Sequence, residues 1–414
     1  MTENVDILIV GAGIIGASAA WQLARRAPRA RILVLDKGAG PGEGSTGASS
    51  AICRYRYTHP EAVALATDGI HAYQNWATFI ENDAPLASYH RHGVLWLGDG
   101  SRERSEAEAA RLSRSGVRVE VLDDGTLRER FPSLNACISE PDLVTGEGHV
   151  CIAGGHHLFE SDGGYVDPMD ALQDLISAGR ERGIDIRFRA EVASILRDGD
   201  TIIGATLRGG DRIHCGTLIN ASGPWCNRIF AMAGLECPWP LKPTRVQIAY
   251  LDRPPEVDGD LPVCCDLKAG IYFRPQNQRQ RLIVGSVLEK DEREVVADPD
   301  TFAKYADDDF VRTKLHALAH RLPDLVTEKN VTGYSGLYTM NTTDVHPVVG
   351  ATPLRGLYVA NGCSGHGFKL APAIGSLLAQ AITGERIAFD TAVPPSFLAF
   401  DRAPIRMASK NVLA

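Results

Sequence analysis

No stretch of this 414-residue chain approaches the ~18 consecutive apolar residues of a membrane-spanning helix, so no span is expected. Basic residues are not in excess either. The formal net charge of −8 excludes a general nucleic-acid binder, because neutralising phosphates takes clustered Lys and Arg. A small anionic ligand remains open, since local cations can line a pocket in an acidic protein. The nine cysteines are odd in number and never spaced as CxxC. That pattern reads as reduced thiols rather than a disulfide scaffold or a zinc site, and no metal is expected. The adjacent Cys264 and Cys265 read as buried small hydrophobes. The first residues carry no basic n-region and no A-x-A site, and the apolar run that follows is too short for a signal peptide. The expected location is the cytoplasm. There is no internal repeat or low-complexity segment.

What is present is a soluble globular composition, 44% hydrophobic and 23% charged, long enough for one large or two ordinary domains. Residues 5–36 read as a βαβ unit. A mostly apolar run over Val5–Val10 has the length of a strand buried on both faces. Gly11-Ala-Gly13-Ile14-Ile15-Gly16 then opens a helix through Arg26, and a second strand over Arg31–Leu35 ends in Asp36 and Lys37. Glycines in such a turn let the backbone approach a pyrophosphate at the helix N-terminus, and an acid at this spacing takes a ribose hydroxyl. The hydroxyl-rich stretch Ser45, Thr46, Ala48, Ser49 and Ser50 suits a second phosphate or a flavin edge.

Further along, a helix is expected over Pro60–Ile80, a strand over Gly93–Leu97 and a charged helix over Ser105–Ser113. Asp167 and Pro168 are suited to start another helix. The chain returns to the nucleotide-binding unit through Asp185–Phe188, the stretch Glu191–Leu196 with Val192, and Leu218–Trp225 with Ala221, Gly223 and Trp225. Alternation in 226–330, as in Ile271–Arg274 and Leu282–Gly285, predicts an antiparallel sheet. A third return runs through Gly356–Gly362 into the motif NGCSGHGFKLAPAIG, whose helix-like run is Ile374–Ile382. The expected architecture is α/β with an α+β substrate lobe. A Rossmann-like domain comprises 1–85, 150–225 and 331–414, and a discontinuous second domain comprises 86–149 and 226–330.

The order of these motifs, from DILIVGAGIIGASAA through STGASS, DGGYVDPMDAL, LINASGPW and IYFRP to TTDVHPVVG and GCSGHGFKLAPAIG, resembles the FAD-dependent oxidoreductases of the D-amino-acid oxidase superfamily. The resemblance runs over essentially the whole chain and is nearest to the sarcosine oxidase, dimethylglycine dehydrogenase and glycine oxidase group. It implies FAD as cofactor, an amino-acid-like substrate, and O₂ or another electron acceptor. It implies that Gly362, Gly365, His366, Gly367 and Phe368 lie against the flavin and that Lys369 binds the substrate carboxylate. Arg54 falls where the sarcosine branch keeps a second cation, with Arg56 as the alternative register. Tyr272 matches an aromatic framing the amine pocket. Arg274 reads equally as an anion contact or as a partner for an acid. Asp344 and His346 match a structural loop, and His366 and Tyr338 complete the candidate catalytic residues.

Departures from the family carry their own expectations. Gly336 stands where some relatives attach flavin to cysteine, and Ser45–Cys53 holds no histidine for the alternative link, so FAD is expected to be non-covalent. Tyr338 replaces the arginine of glycine and D-amino-acid oxidases. Ile283 replaces a lysine that promotes reaction with O₂ in the sarcosine oxidases. The implied activity is oxidation of a carboxylated amine. Alternatives are oxidation of a 2-hydroxy acid or D-amino acid, a pyridine-nucleotide dehydrogenase, and a non-catalytic flavin-binding or electron-transfer partner.

Overall fold

The structure, a computed structural model, describes residues 2–98, 100–145, 148, 150–255, 257, 259–276, 280–325 and 330–407. A six-stranded sheet runs in the order Val348–Ala351, Leu357–Asn361, Thr217–Asn220, Ile7–Val10, Ile32–Leu35, Asp185–Arg187. Its inner pairs are parallel, and Ile7–Val10 is buried on both faces, which explains the unbroken apolar run. The strand is shorter than expected, because Val5 and Asp6 precede the ladder. Chain order and spatial order differ, so the first strand lies between one from residues 217–220 and one from 32–35.

Two helices cover one face of this sheet. Ile14–Arg26 packs on the C-terminal helix Gly367–Thr383 so closely that a Cβ at Gly375 would lie 2.8 Å from the Ser18 backbone. Pro60–Gln74 meets the same C-terminal helix at Gly69, where a Cβ would come within 2.2 Å of the Lys369 carbonyl oxygen. The expected helix over Pro60–Ile80 is broken at Asn75 and resumes as Trp76–Ile80. Asp167 caps the helix Pro168–Glu181 as expected, accepting from the N–H of Met169 at 2.9 Å.

The second sheet has eight strands, in the order Thr332–Asn341, Leu241–Asp252, Arg281–Ser286, Ile271–Gln276, Val263–Asp266, Val94–Leu97, His156–Glu160, Val119–Asp123. It differs from expectation in two ways. The pair Val263–Asp266 and Val94–Leu97 is parallel, so the sheet is mixed. Moreover, His156–Glu160 and Thr332–Asn341 hydrogen-bond into it, although both were assigned to the nucleotide-binding unit. Strand alternation marks a half-buried strand but does not say which sheet receives it. Among the described residues no helix is long and apolar enough to cross a membrane.

Candidate functional site

A cavity of about 540 Å³ starts at the first glycine turn and runs along Asp36, Ser45–Ser50, Val192 and Ala221–Trp225 to Gly336–Thr339, Gly365, Gly367 and Phe368. The turn is shaped by contacts no side chain would permit. Gly11 has φ +109°, and a Cβ there would lie 2.3 Å from the Ala221 carbonyl oxygen; a Cβ at Gly16 would lie 1.9 Å from that of Gly11. Gly13 precedes the helix Ile14–Arg26 without a capping side chain. Ile14 N–H donates to Thr46 Oγ1 at 3.0 Å; the other first-turn amides have no acceptor among the described residues, an arrangement that suits a phosphate. Asp36 is oriented by two backbone donors, Ala12 N at 2.8 Å and Gly38 N at 2.7 Å, and keeps lone pairs for a ribose. Glycine-lined length, an anion-binding helix start and a fixed acid fit a flavin dinucleotide. At the mouth, Lys37 pairs with Asp300 and stacks over Trp225 at 4.1 Å, while Arg228 and Trp225 also bind Asp300. Burial alone would raise the Asp300 pKa, yet these hydrogen bonds hold it down at about 2.

At the other end stands Lys369. The residue is positioned from both sides. Pro372 lacks an N–H and cannot bond the carbonyl of Phe368 four residues back; Tyr73 Oη donates to that carbonyl instead, at 2.9 Å. The Tyr73 and Phe368 rings stack at 5.1 Å. These contacts explain why the helix begins at Gly367, seven residues before the expected run. Lys369 itself is 5% exposed and has no hydrogen-bond or ion-pair partner among the described residues. Burial, and then the neighbouring Arg54 charge, depress its pKa to about 7.

Arg54 is 4% exposed, its guanidinium 4.3 Å from the Tyr57 ring centre and 5.6 Å from that of Trp96. Its strand end is held by Glu160, which is fully buried and accepts from Tyr55 N (2.7 Å), Arg56 N (3.0 Å) and Trp96 Nε1 (2.8 Å). Burial raises the Glu160 pKa against the pull of these donors and of Arg54. Nothing in the sequence marks Glu160, because its partners lie 64 to 105 residues away. Arg56, the alternative to Arg54, points elsewhere and forms a half-exposed pair with Glu108 at 3.0 Å.

Arg274 is 1% exposed. Its Nε donates to the Ser50 carbonyl at 2.7 Å and its Nη1 to that of Pro275 at 2.6 Å, while Nη2 has no partner. It lies over Tyr165 at 4.4 Å and pairs with no acid among the described residues. Tyr272 hydrogen-bonds Ser50 and lines a small second cavity of about 20 Å³ with Tyr338, Ala48 and Ser50. Of the expected cofactor contacts, Gly16, Gly362, His366 and Lys369 do not line the large cavity. His366 precedes the C-terminal helix and meets Tyr57 edge-on at 5.3 Å. Asp344 pairs with Arg402, and His346 bonds the Asp344 carbonyl at 2.7 Å, a structural knot as expected.

A family model for FAD dependent oxidoreductases (DAO) matches residues 6–381. Peroxisomal sarcosine oxidase of Mus musculus is 27% identical over an alignment covering 100% of this chain and 98% of its own. Glycine oxidase of Geobacillus kaustophilus is 26% identical, with 95% of this chain and 96% of its own covered. Among solved structures, L-proline dehydrogenase from P. horikoshii aligns with a TM-score of 0.79 at 22% identity, over 97% of this chain and 98% of that one, a likeness of fold.

Proposed function

Because the chain belongs to the DAO family of FAD dependent oxidoreductases, we propose that its activity is the oxidation of a carboxylated amine, a secondary or N-substituted amino acid such as an N-alkylglycine. The observation that carries this reading is Lys369, a buried cation with no counter-charge among the described residues, next to a second buried cation, Arg54. An uncompensated charge in the interior costs several kcal/mol. A substrate carboxylate offsets that cost, so the site favours an anion. When bound, FAD accepts the two electrons of the oxidation. Lys369 and Arg54 hold the carboxylate and thereby orient the Cα–H, which removes much of the entropic barrier. Tyr272 and Tyr338 bound the space beside it. The imine product hydrolyses to an amine and an aldehyde or keto acid.

Anaerobic mixing with sarcosine, other N-alkylglycines, D-amino acids and 2-hydroxy acids, followed by flavin absorbance, tests the reading. N-alkylglycines should bleach fastest. Faster bleaching by 2-hydroxy acids or D-amino acids would overturn it, and bleaching by none of the panel would favour a non-catalytic flavoprotein. FAD should be non-covalent, since Gly336 offers no thiol for attachment: acid precipitation is expected to leave the yellow colour in the supernatant.

The electron acceptor turns on Ile283. It is fully buried, and its cross-strand partner is Arg274, so both side chains share one face of the sheet. The expected gap in positive charge at Ile283 is therefore adjoined by a guanidinium one strand away. A lysine at position 283 would be crowded by that charge. We expect Arg274→Met to slow reoxidation of the reduced enzyme in aerated buffer about tenfold, the effect of losing roughly 1.4 kcal/mol of charge stabilisation. Unchanged stopped-flow reoxidation would remove Arg274 from this role.

A further inference from the structure

Outside the cofactor cavity, three side chains from three separate segments converge: the thiols of Cys137 and Cys151 and the imidazole of His320, with ligand atoms all within 4.8 Å of one another. None of the three lines the cofactor cavity. We propose that they form a binding site for a soft divalent metal, Zn²⁺ foremost, with water completing the coordination.

Both sulfurs are held in place by N–H donors. The Ser139 amide donates to Cys137 Sγ at 3.3 Å, and Asn135 Nδ2 donates to Cys151 Sγ at 3.7 Å. These N–H donors fix where the two sulfurs sit. Asn135 Nδ2 also donates to the His320 carbonyl at 3.0 Å, so one amide ties two ligand residues together. The cysteine segments are joined by Ile138 N–H to the Ile152 carbonyl at 3.0 Å. Two cations complete the frame: Lys268 Nζ donates to the Ile138 carbonyl at 2.8 Å, and Arg321 donates to the carbonyls of Asn135 and Cys137. The positions of the ligand backbones are therefore fixed by contacts that do not involve the metal.

The ligand chemistry selects the metal. Two sulfurs and one imidazole suit zinc and disfavour Mg²⁺ or Ca²⁺, which take oxygen ligands. Tetrahedral zinc with bonds of ~2.0–2.3 Å places its donors about 3.3–3.8 Å apart. The three ligand atoms, all within 4.8 Å of one another, close to that spacing by side-chain rotation. Cys137 is 3% exposed, His320 is half-buried and Cys151 is exposed, which leaves solvent access for entry and for the fourth ligand. His320 sits at the end of the helix Asp308–Arg321, which packs on the eight-stranded sheet. A bound metal would fasten the two cysteine segments to that helix.

The test uses the FAD-loaded full chain, reduced, stripped with a chelator and titrated anaerobically with Co²⁺. The expected result is saturation near one equivalent, with tetrahedral ligand-field bands at wavelengths longer than any flavin absorption, reversed by Zn²⁺. Cys151→Ser and His320→Ala should each weaken Co²⁺ binding at least ~10²-fold, more than loss of an outer-shell partner typically costs, while Cys237→Ser binds as the parent does. Flavin absorbance reports whether each variant is folded. Should a variant fail to fold, alkylation of the exposed Cys151 in the parent replaces it and should abolish the bands. Absence of the bands, or equal binding in all variants, would overturn the proposal. So would a Cys137–Cys151 disulfide whose reduction restores no metal uptake.

Discussion

Lys369→Met is expected to raise the substrate concentration for half-maximal flavin reduction about 10²-fold, with FAD still bound. The size follows from losing a charge-assisted contact of roughly 2–3 kcal/mol in a site that excludes water. Methionine keeps a chain of similar length and apolar character, so the change isolates the charge. The same residue sets a pH dependence. With its pKa near 7, Lys369 carries its charge below that pH and loses it above. Substrate affinity should therefore weaken as pH rises through 7, because binding then requires proton uptake. The pH slope should vanish in Lys369→Met. Arg54→Ala should resemble Lys369→Met in magnitude. Arg56→Ala should change affinity little, since its pair with Glu108 is half-exposed. Anaerobic titrations across pH separate these outcomes, and an unchanged half-saturation in Lys369→Met would dismiss the anchor.

Gly11→Ala should yield a chain purified without flavin. The backbone at Gly11 has φ +109°, and the added methyl would lie 2.3 Å from the Ala221 oxygen and 2.8 Å from its carbon. Neither atom can rotate away, because Ala221 continues the strand Thr217–Asn220 and its amide bonds the Val10 carbonyl at 2.9 Å. Relief must come from the turn itself, the part that a pyrophosphate touches. A left-handed backbone also costs alanine ~1–2 kcal/mol. Gly40→Ala, where a Cβ meets nothing within 4 Å, serves as control and should keep full flavin content. Stoichiometric FAD in Gly11→Ala, measured by absorbance ratio, would contradict the steric argument.

The first βαβ unit was legible because its information is local. A strand buried on both faces must be apolar throughout, and glycines at fixed offsets follow from the turn. The capping of Pro168–Glu181 by Asp167 was legible for the same reason. Sheet membership was not, because Thr332–Asn341 reads as a strand in either sheet and only its pairing with Leu241–Asp252 decides. The start of the C-terminal helix at Gly367 was hidden by glycine and proline, whose cost is offset by Tyr73 from another helix. In the site, Lys369 and Arg54 stood out by motif, whereas Glu160 acts through backbone amides that no side-chain pattern reveals. Cys137, Cys151 and His320 escaped a search for CxxC, since their proximity is made by the fold.

The interleaved strand order of the six-stranded sheet constrains how this protein can be made. The strand Ile7–Val10 leaves the ribosome some two hundred residues before one of its neighbours, residues 217–220, and that neighbour's own partner is residues 357–361. Until those segments emerge, the edge of Ile7–Val10 that faces residues 217–220 has nothing to pair with, and unpaired edges of this kind aggregate. Such non-local pairing is slow to form. Synthesis should therefore proceed with the early segment sheltered by a chaperone, and cofactor capture belongs to the period after translation, when the Gly367–Thr383 helix can close over the glycine turn.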